Sequence, residues 1–428
     1  MEVTLYISKT QESRIALRTV KTLTEIEEIR NIWSTWQSNP ISDIDNFLLI
    51  ARLRPEIQRP HVMVVYRNGN PDSVLVGRME YAPMNFKVGY LKVFESRVRT
   101  LCFMHGGFLG NQSAENSDFL IREIMKALKH KEADVARMES VRTDSPLGVA
   151  AIRIPGVLCR DHFSLSENHG CAQLPESFHA FLNSLPRKER HNLKRYEKRL
   201  QADFSGSMRI RCFRRESEID ELIRDAEEIA KKTYQRGLGV GFSDTPETRE
   251  TIQMAAHRGT LRACVLYLGA RPCAFMIGAQ YQDTQHGNFL AFDPQFSPYS
   301  PGSLLLMRWI EEAFVPNGKQ QITQIDLGSG DARYKRSICN HVWIESHIYI
   351  FAPTFTSLRL NFQRSLCALL HRAALRLAAK TGILEKVKRL WRSRGCNRGA
   401  GILSRLFHTE FGLCNDNNVK LQETSTDS

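Results

Sequence analysis

The sequence lacks the marks of several large protein classes. No apolar run approaches the ~18 residues that span a bilayer, so an ordinary transmembrane helix is not expected. The start, Met1-Glu2-Val3-Thr4, has no basic stretch followed by an apolar one, so a secretory signal is not expected either. Ten cysteines stand at 102, 159, 171, 212, 264, 273, 339, 367, 396 and 414, and no two are spaced C-x-x-C. That scatter argues against a zinc site or a disulfide framework and predicts ten buried thiols in a reducing compartment. The thirteen histidines form no H-E-x-x-H or other metal pair, and neither G-x-S-x-G nor a Walker sequence occurs. A metalloenzyme, a serine hydrolase and a P-loop NTPase are thereby disfavoured, and no metal is expected.

What is present is enough to fold. The chain has 428 residues, 42% of them hydrophobic, which excludes wholesale disorder. At roughly 100–200 residues per domain, two or three domains are expected. Formal net charge is +13, unevenly placed. Residues 356–408 hold twelve Lys/Arg against one acid, Glu385, and residues 185–200 (LPRKERHNLKRYEKRL) hold seven against two. These two segments carry more than the whole excess, so the rest of the chain is slightly acidic. The pattern is a near-neutral body with one basic helix and a basic tail. Localised positive charge points to phosphate on a ligand, or to an anionic membrane or RNA surface.

The two halves repeat one another. Residues 61–81 read as a β-hairpin around Asn68-Gly69, and residues 261–281 read as a second hairpin around Gly269. A strand follows each (101–110 and 287–293), then a loop, a helix (117–130 and 303–314) and a short strand. Ile121, Ile124, Met125 and Leu128 space one helix face; Leu306, Trp309, Ile310 and Ala313 space the other. Each half also opens with helical pattern, at 23–37 and 216–236. Duplication of one α/β module accounts for this order. Residues 175–200 form a basic helical insertion, with Ser184 as the expected N-cap and Pro186 in its first turn.

Two segments of the second half suit chemistry. Ser297–Ser303 lies between a strand and a helix, where unsatisfied amides and the helix dipole favour an anion. Gly302 would let a phosphate approach, with Ser300 and Ser303 as hydroxyl donors; a Pro/Gly-rich turn with a Ser cap is the alternative. Next, ITQIDLGSGDARYKRSIC (322–339) ends a strand in a glycine-rich turn that presents Asp331, Arg333, Tyr334, Lys335 and Arg336. Such groups at a strand end suit catalysis or substrate binding, or simply a solvated loop. On the basic helix, Arg187, Arg190 or His191, Lys194 or Arg195, and Lys198 align for a phosphorylated substrate or for solvent.

Four stretches carry a resemblance: residues 184–200, the hairpin 261–281, FLAFDP with YSPGSLLL (289–306), and IDLGSGDARYKR (325–336). Together they resemble the GNAT-type acyltransferase module of the CelD-like bacterial group, associated with cellulose and exopolysaccharide biosynthesis. That group is similar to the Fem-type peptidoglycan aminoacyltransferases, which carry two GNAT modules. The resemblance implies an α/β fold of two tandem GNAT-like modules, each a mixed, mostly antiparallel sheet flanked by helices. Residues 1–170 would be a degenerate module, 171–350 the acyltransferase module, 351–410 a basic amphipathic helical tail and 411–428 a disordered terminus.

It also implies site roles. Leu290, Ala291 and Phe292 would face the pantetheine arm of acyl-CoA, and Tyr299, Ser300, Pro301, Gly302 and Ser303 its pyrophosphate. Asp331 and Tyr334 would lie near the transfer centre. Lys335, Arg187 and Arg195 would bind the acceptor. The expected activity is acyl transfer from acyl-CoA to an amine or hydroxyl of a sugar or envelope-polysaccharide precursor. A tRNA-dependent aminoacyltransferase of Fem type and a non-catalytic scaffold are the alternatives. Read from its own basic amphipathic pattern, the tail 356–408 would lie on an anionic membrane, bind RNA or pack on the body; the protein is expected in the cytoplasm, and at the inner face of the membrane in the first case.

Overall fold

A computed structural model of the chain describes residues 4–5, 15–88, 91–237, 241–315, 318 and 320–380. Two compact units emerge. One takes in the residues up to Ser166, Thr245–Thr251 and the described chain from Ile344 onward; the other takes in Glu167–Asp244 and Ile252–Trp343.

The first unit contains β1 (Thr4–Leu5), β2 (Ile15–Val20), α1 (Leu23–Trp36), α2 (Ile44–Leu53), β3 (Ile57–Pro60), β4 (Val62–Arg67), β5 (Asn70–Val88), β6 (Leu91–Gly110), α3 (Ala114–Lys129), β7 (Val135–Arg142) and α4 (Pro146–Arg153). The second contributes β8 (Leu165–Gln173), α5 (Phe178–Ser184), α6 (Arg187–Asp203), β9 (Met208–Phe213), α7 (Ile219–Ala230), α8 (Tyr234–Gly237), α9 (Pro246–His257, begun in the first unit), β10 (Leu261–Leu268), β11 (Arg271–Tyr281), β12 (Thr284–Phe292), α10 (Pro301–Glu311), β13 (Gln324–Ser329) and α11 (Arg333–Ile338). β14 (His341–Phe351) and α12 (Phe355–Lys380) return the chain to the first unit.

The first sheet runs β1-β2-β4-β5-β6-β7-β14 with β3 beside β5, and the second runs β8-β13-β12-β11-β10-β9. Pairing is antiparallel except at β6–β7 and β12–β13, which are parallel. Each sheet is therefore mixed and mostly antiparallel, and helices cover both faces. In the first unit α3 and α4 pack on one face, through Leu120, Ile121, Ile124 and Leu147, and α1 and α2 on the other, through Ile29, Trp33 and Phe47. β4 shows why its sequence reads as an unbroken apolar run: Met63 and Val65 face α3, while Val62 and Val64 face α1. In the second unit α5, α6 and α10 share one core, and α7 and α9 the other.

Local signals act as their chemistry requires. Asn68 and Gly69 both take positive φ, 55° and 84°, the turn that matches strand twist in a two-residue hairpin. Thr22 and Glu25 form a reciprocal capping box at the start of α1.

Several expectations are corrected. Ser184 ends α5 rather than capping a single long helix; its hydroxyl donates to Phe181 O. Pro186 forces the break, because the residue before a proline is pushed to extended backbone, as Leu185 is at ψ 148°. Residues 101–110 are only the last part of a strand that begins at Leu91. Cys212 and Cys264, opposite one another on β9 and β10 with Cα atoms 4.1 Å apart, are paired as a disulfide, so not all ten cysteines are thiols. Their separation of 52 residues concealed a proximity that only strand pairing creates.

The tail divides. α12 packs Leu360 and Cys367 against Met84, Phe86 and Phe351, and Asn361 donates to Leu158 O and Arg160 O at 2.8 and 2.9 Å. Leu366, Leu369 and Leu370 of the same helix are exposed. Residues 381–428, with the rest of the expected tail and terminus, lie outside the described residues. No described helix is long and apolar enough to cross a membrane.

Candidate active site

The parallel pair of the second sheet is short. Thr284, Gln285 and His286 of β12 face Gln324, Ile325 and Asp326 of β13, and there the ladder ends. β12 runs on to Phe292 and β13 to Ser329, so a wedge opens between them. On its other edge β12 stays paired with β11, with Asn288 as an extra residue between Gly287 and Phe289. A Cβ on Gly287 would meet Met276 Cε, the far end of a flexible side chain, at 2.6 Å. Among the described residues, β12 has no pairing with β13 beyond His286.

A helix start follows the wedge. Asp293 caps the 3-10 segment Pro294–Tyr299 by accepting from Gln295 N at 3.1 Å. Ser300 takes φ +49°, and Pro301 opens α10 where a missing N–H costs nothing. The Ser303 and Leu304 amides donate to Ser300 O at 3.0 and 3.4 Å, and no side chain caps the helix. A Cβ on Gly302 would lie 3.1 Å from Phe292 Cδ1, so the Phe292 ring stands beside the first turn. α6 holds this loop from behind. Tyr299 Oη donates to Asp203 at 2.8 Å, Arg199 lies 5.0 Å over the Tyr299 ring, and Arg308 pairs with Glu197 at 2.8 Å.

Besides Tyr299–Ser303, the residues expected to form the site fall into three groups. Leu290 packs into the core of α6 and α10, Ala291 packs on the opposite face, and Phe292 is exposed; all three line the freed stretch of β12. Asp331, Tyr334 and Lys335 share the turn after β13. There Asp331 is ion-paired with Arg336, and burial pushes the Tyr334 phenol up to about 12. Lys335 is buried, and its ammonium donates to Gly328 O and Ser329 O at 3.2 and 2.6 Å. Arg187 and Arg195 are exposed on α6, with Arg195 stacked on Tyr196 at 5.3 Å. Glu189 reaches toward Arg333 at 3.8 Å, linking α6 to the turn.

One cluster was missed. Asp326 Oδ1 accepts from His169 Nε2 at 2.7 Å and from Gly328 N at 2.7 Å, and His286 Nδ1 lies 3.4 Å from Oδ2. Burial alone would raise this carboxyl; the His169 and His286 imidazoles overcome that and hold it far below the usual carboxylate range. Trp343 stacks on His169 with centroids 4.5 Å apart. A legible signal existed, for Asp326 is an acid between apolar Ile325 and Leu327 on a strand. The two histidines gave none, since they reach it only through the sheet.

Residues 187–336 match the acetyltransferase (GNAT) domain family. Comparison with curated proteins finds no match. Among solved structures, that of FemX aligns over 76% of this chain and 96% of its own at 11% identity, with a TM-score of 0.51. A tandem GNAT protein from the clavulanic acid biosynthesis pathway aligns over 79% and 99% at 10% identity and TM-score 0.46. L-PGS from Bacillus licheniformis aligns over 68% and 85% at 14% identity and TM-score 0.39. The matched stretch is a GNAT-fold transferase domain, running from the first residue of α6 into α11. The FemX likeness concerns fold alone, and it extends beyond that stretch.

Proposed function

We propose that the second unit is an acyl-CoA-dependent acyltransferase whose acceptor is an amine or hydroxyl of a sugar or envelope-polysaccharide precursor, as in the CelD-like group. One observation carries this reading. The parallel ladder of β12 and β13 stops after three residues, and the wedge it opens precedes an uncapped helix start within a matched GNAT stretch. The amides of a pantetheine arm suit the freed edge at Leu290, Ala291 and Phe292, and a pyrophosphate suits Tyr299, Ser300, Pro301, Gly302 and Ser303. Tyr334 keeps its proton at neutral pH and so can donate to an oxyanion. Asp331 is its candidate partner, and Lys335, Arg187 and Arg195 are candidates for the acceptor side. The acceptor attacks the thioester carbonyl, a tetrahedral intermediate forms, and the thiol leaves without a covalent enzyme intermediate. Thermal unfolding with CoA, acetyl-CoA and longer acyl-CoAs tests this: a rise in Tm is expected, and no rise with any of them removes the donor.

A second reading replaces acyl-CoA by an aminoacyl-tRNA. The FemX-like fold and the exposed cations Lys188, Lys194, Arg195 and Lys198 favour it. RNA binding that falls steeply with salt would mark it. Peripheral membrane association at the inner face of the membrane is supported by α12, where Phe362, Leu366, Leu369 and Leu370 are exposed. Replacing Leu366 and Leu369 by Glu is expected to abolish pelleting with anionic liposomes; unchanged pelleting removes this contact.

A further inference from the structure

The acyltransferase reading leaves the proton acceptor unassigned. Asp331 faces Arg336 in an ion pair, and the Tyr334 phenol is too weak an acid to ionise near neutral pH. We infer, resting on that reading, that His286 is the general base for transfer from an acyl thioester to an amine or hydroxyl, with Asp326 and His169 as its positioning residues.

Position comes first. His286 and Asp326 are the last facing pair of the parallel ladder, so they stand where the wedge begins. Both lie on the sheet face opposite α10, because their neighbours Gln285, Ile325 and Leu327 turn toward that helix or its core.

Protonation follows from the contacts. His286 Nδ1 faces a carboxylate and therefore carries the ring proton of the neutral imidazole. Nε2 then holds a lone pair. That atom is buried and meets no partner among the described residues. An orphaned buried acceptor is costly and calls for an explanation; a substrate proton supplies one. Asp326 is held on three sides, by His169 Nε2, His286 Nδ1 and Gly328 N, so the imidazole is fixed in tautomer and orientation. The Trp343 ring fixes His169 in turn.

The step balances. The acceptor nitrogen or oxygen bonds to the thioester carbonyl carbon with its own electron pair, and its proton passes to His286 Nε2. On collapse the C–S bond breaks, its electron pair leaves with sulfur, and the imidazolium returns the proton to the thiolate. An amide or ester and a free thiol result, with no change of oxidation state.

The test uses the full chain, acetyl-CoA and longer acyl-CoAs, and thiol release to water and to a panel of amino sugars. H286Q is expected to lower kcat by about 100-fold or more, with unchanged KM for acyl-CoA and unchanged CoA affinity by calorimetry. D326N is expected to do the same by favouring the wrong tautomer. Imidazole in the buffer should restore part of the turnover of H286A. Wild-type kcat in H286Q overturns this proposal alone. Lost CoA affinity in H286Q, with no rescue of H286A, marks a structural histidine and also overturns it. A wild-type chain that releases no thiol from any acyl-CoA overturns the donor reading and this proposal with it.

Discussion

The two units build the same fork with different chemistry. In the first, β6 and β7 pair in parallel from Thr100–Phe103 to Val135–Met138, after which β6 runs on to Gly110. On the side away from α3 that fork holds Arg137, which donates to Glu80 Oε2 at 3.3 Å and Glu139 Oε1 at 2.9 Å, with Arg78 on the other Glu80 oxygen at 2.5 Å. In the second unit the same side holds Asp326 between two imidazoles. A guanidinium keeps its proton under all ordinary conditions, whereas an imidazole exchanges one near neutral pH. One fork is therefore locked by fixed charge, and the other is where the proposed proton transfer would take place. The helix starts differ in the same sense. Ser113 caps α3, and Asn116 in its first turn donates to Asp72 at 2.7 Å, so the chain's own carboxylate stands there. No side chain caps α10. The first unit has filled with its own groups the places that the proposed ligand would take in the second.

The largest test of this contrast removes the lock. Arg137→Leu removes the guanidinium that Glu139 accepts from and leaves Glu80 with Arg78 alone, and it is expected to cost about 3–5 kcal/mol in thermal unfolding. Asp326→Asn should cost less and remove turnover instead. Equal stability losses at the two forks would erase the distinction. Acid probes the same lock. Burial would raise the Glu139 carboxyl, but Arg137 and Arg78 hold it at about 2. Its folded value is thus depressed, so its contribution is present above the ordinary value of 4.5 and is lost as pH falls from there through about 2. Far-ultraviolet dichroism against pH should show this acid transition weakened in Glu139→Gln.

A ligand sharpens the comparison at the helix starts. Gly302→Asp places a carboxylate where the first unit has Asp72. It should remove the stabilisation by acyl-CoA, about 2.7 kcal/mol at a hundred times Kd, measured against the variant's own unliganded Tm. Persistence of the shift would place the ligand elsewhere. Smallest is Thr22→Ala, which breaks the capping box of α1 and should cost about 1 kcal/mol. Ser184→Ala, at a position that does not cap the start of α6, should cost a few tenths.

Much of the fold was legible because it rests on local patterns. Ile121, Ile124 and Leu128 recur on one helical face, as do Leu306, Trp309 and Ile310, and all are buried as their spacing requires. The hairpin turn at Asn68-Gly69 needs positive φ at both residues, and few other residue pairs allow it. The glycine-rich turn and the 299–303 loop were also visible, since strand-to-helix junctions announce themselves in Gly, Pro and Ser. Asp331 drew attention because it is charged and stands a few residues before Arg333, Lys335 and Arg336; one of these, Arg336, pairs with it. Asp326 looked like an ordinary acid inside a strand.

The amino-acid order by itself determined the elements, their repeat and the loops at the ends of strands, because these follow from backbone sterics and from the period of apolar residues. Only the tertiary structure decided which strands lie side by side. Pairing β8, β12 and β13 brings His169, His286 and Asp326 onto one carboxylate, and pairing β9 with β10 brings Cys212 onto Cys264. Such contacts depend on long-range register, which no local pattern encodes.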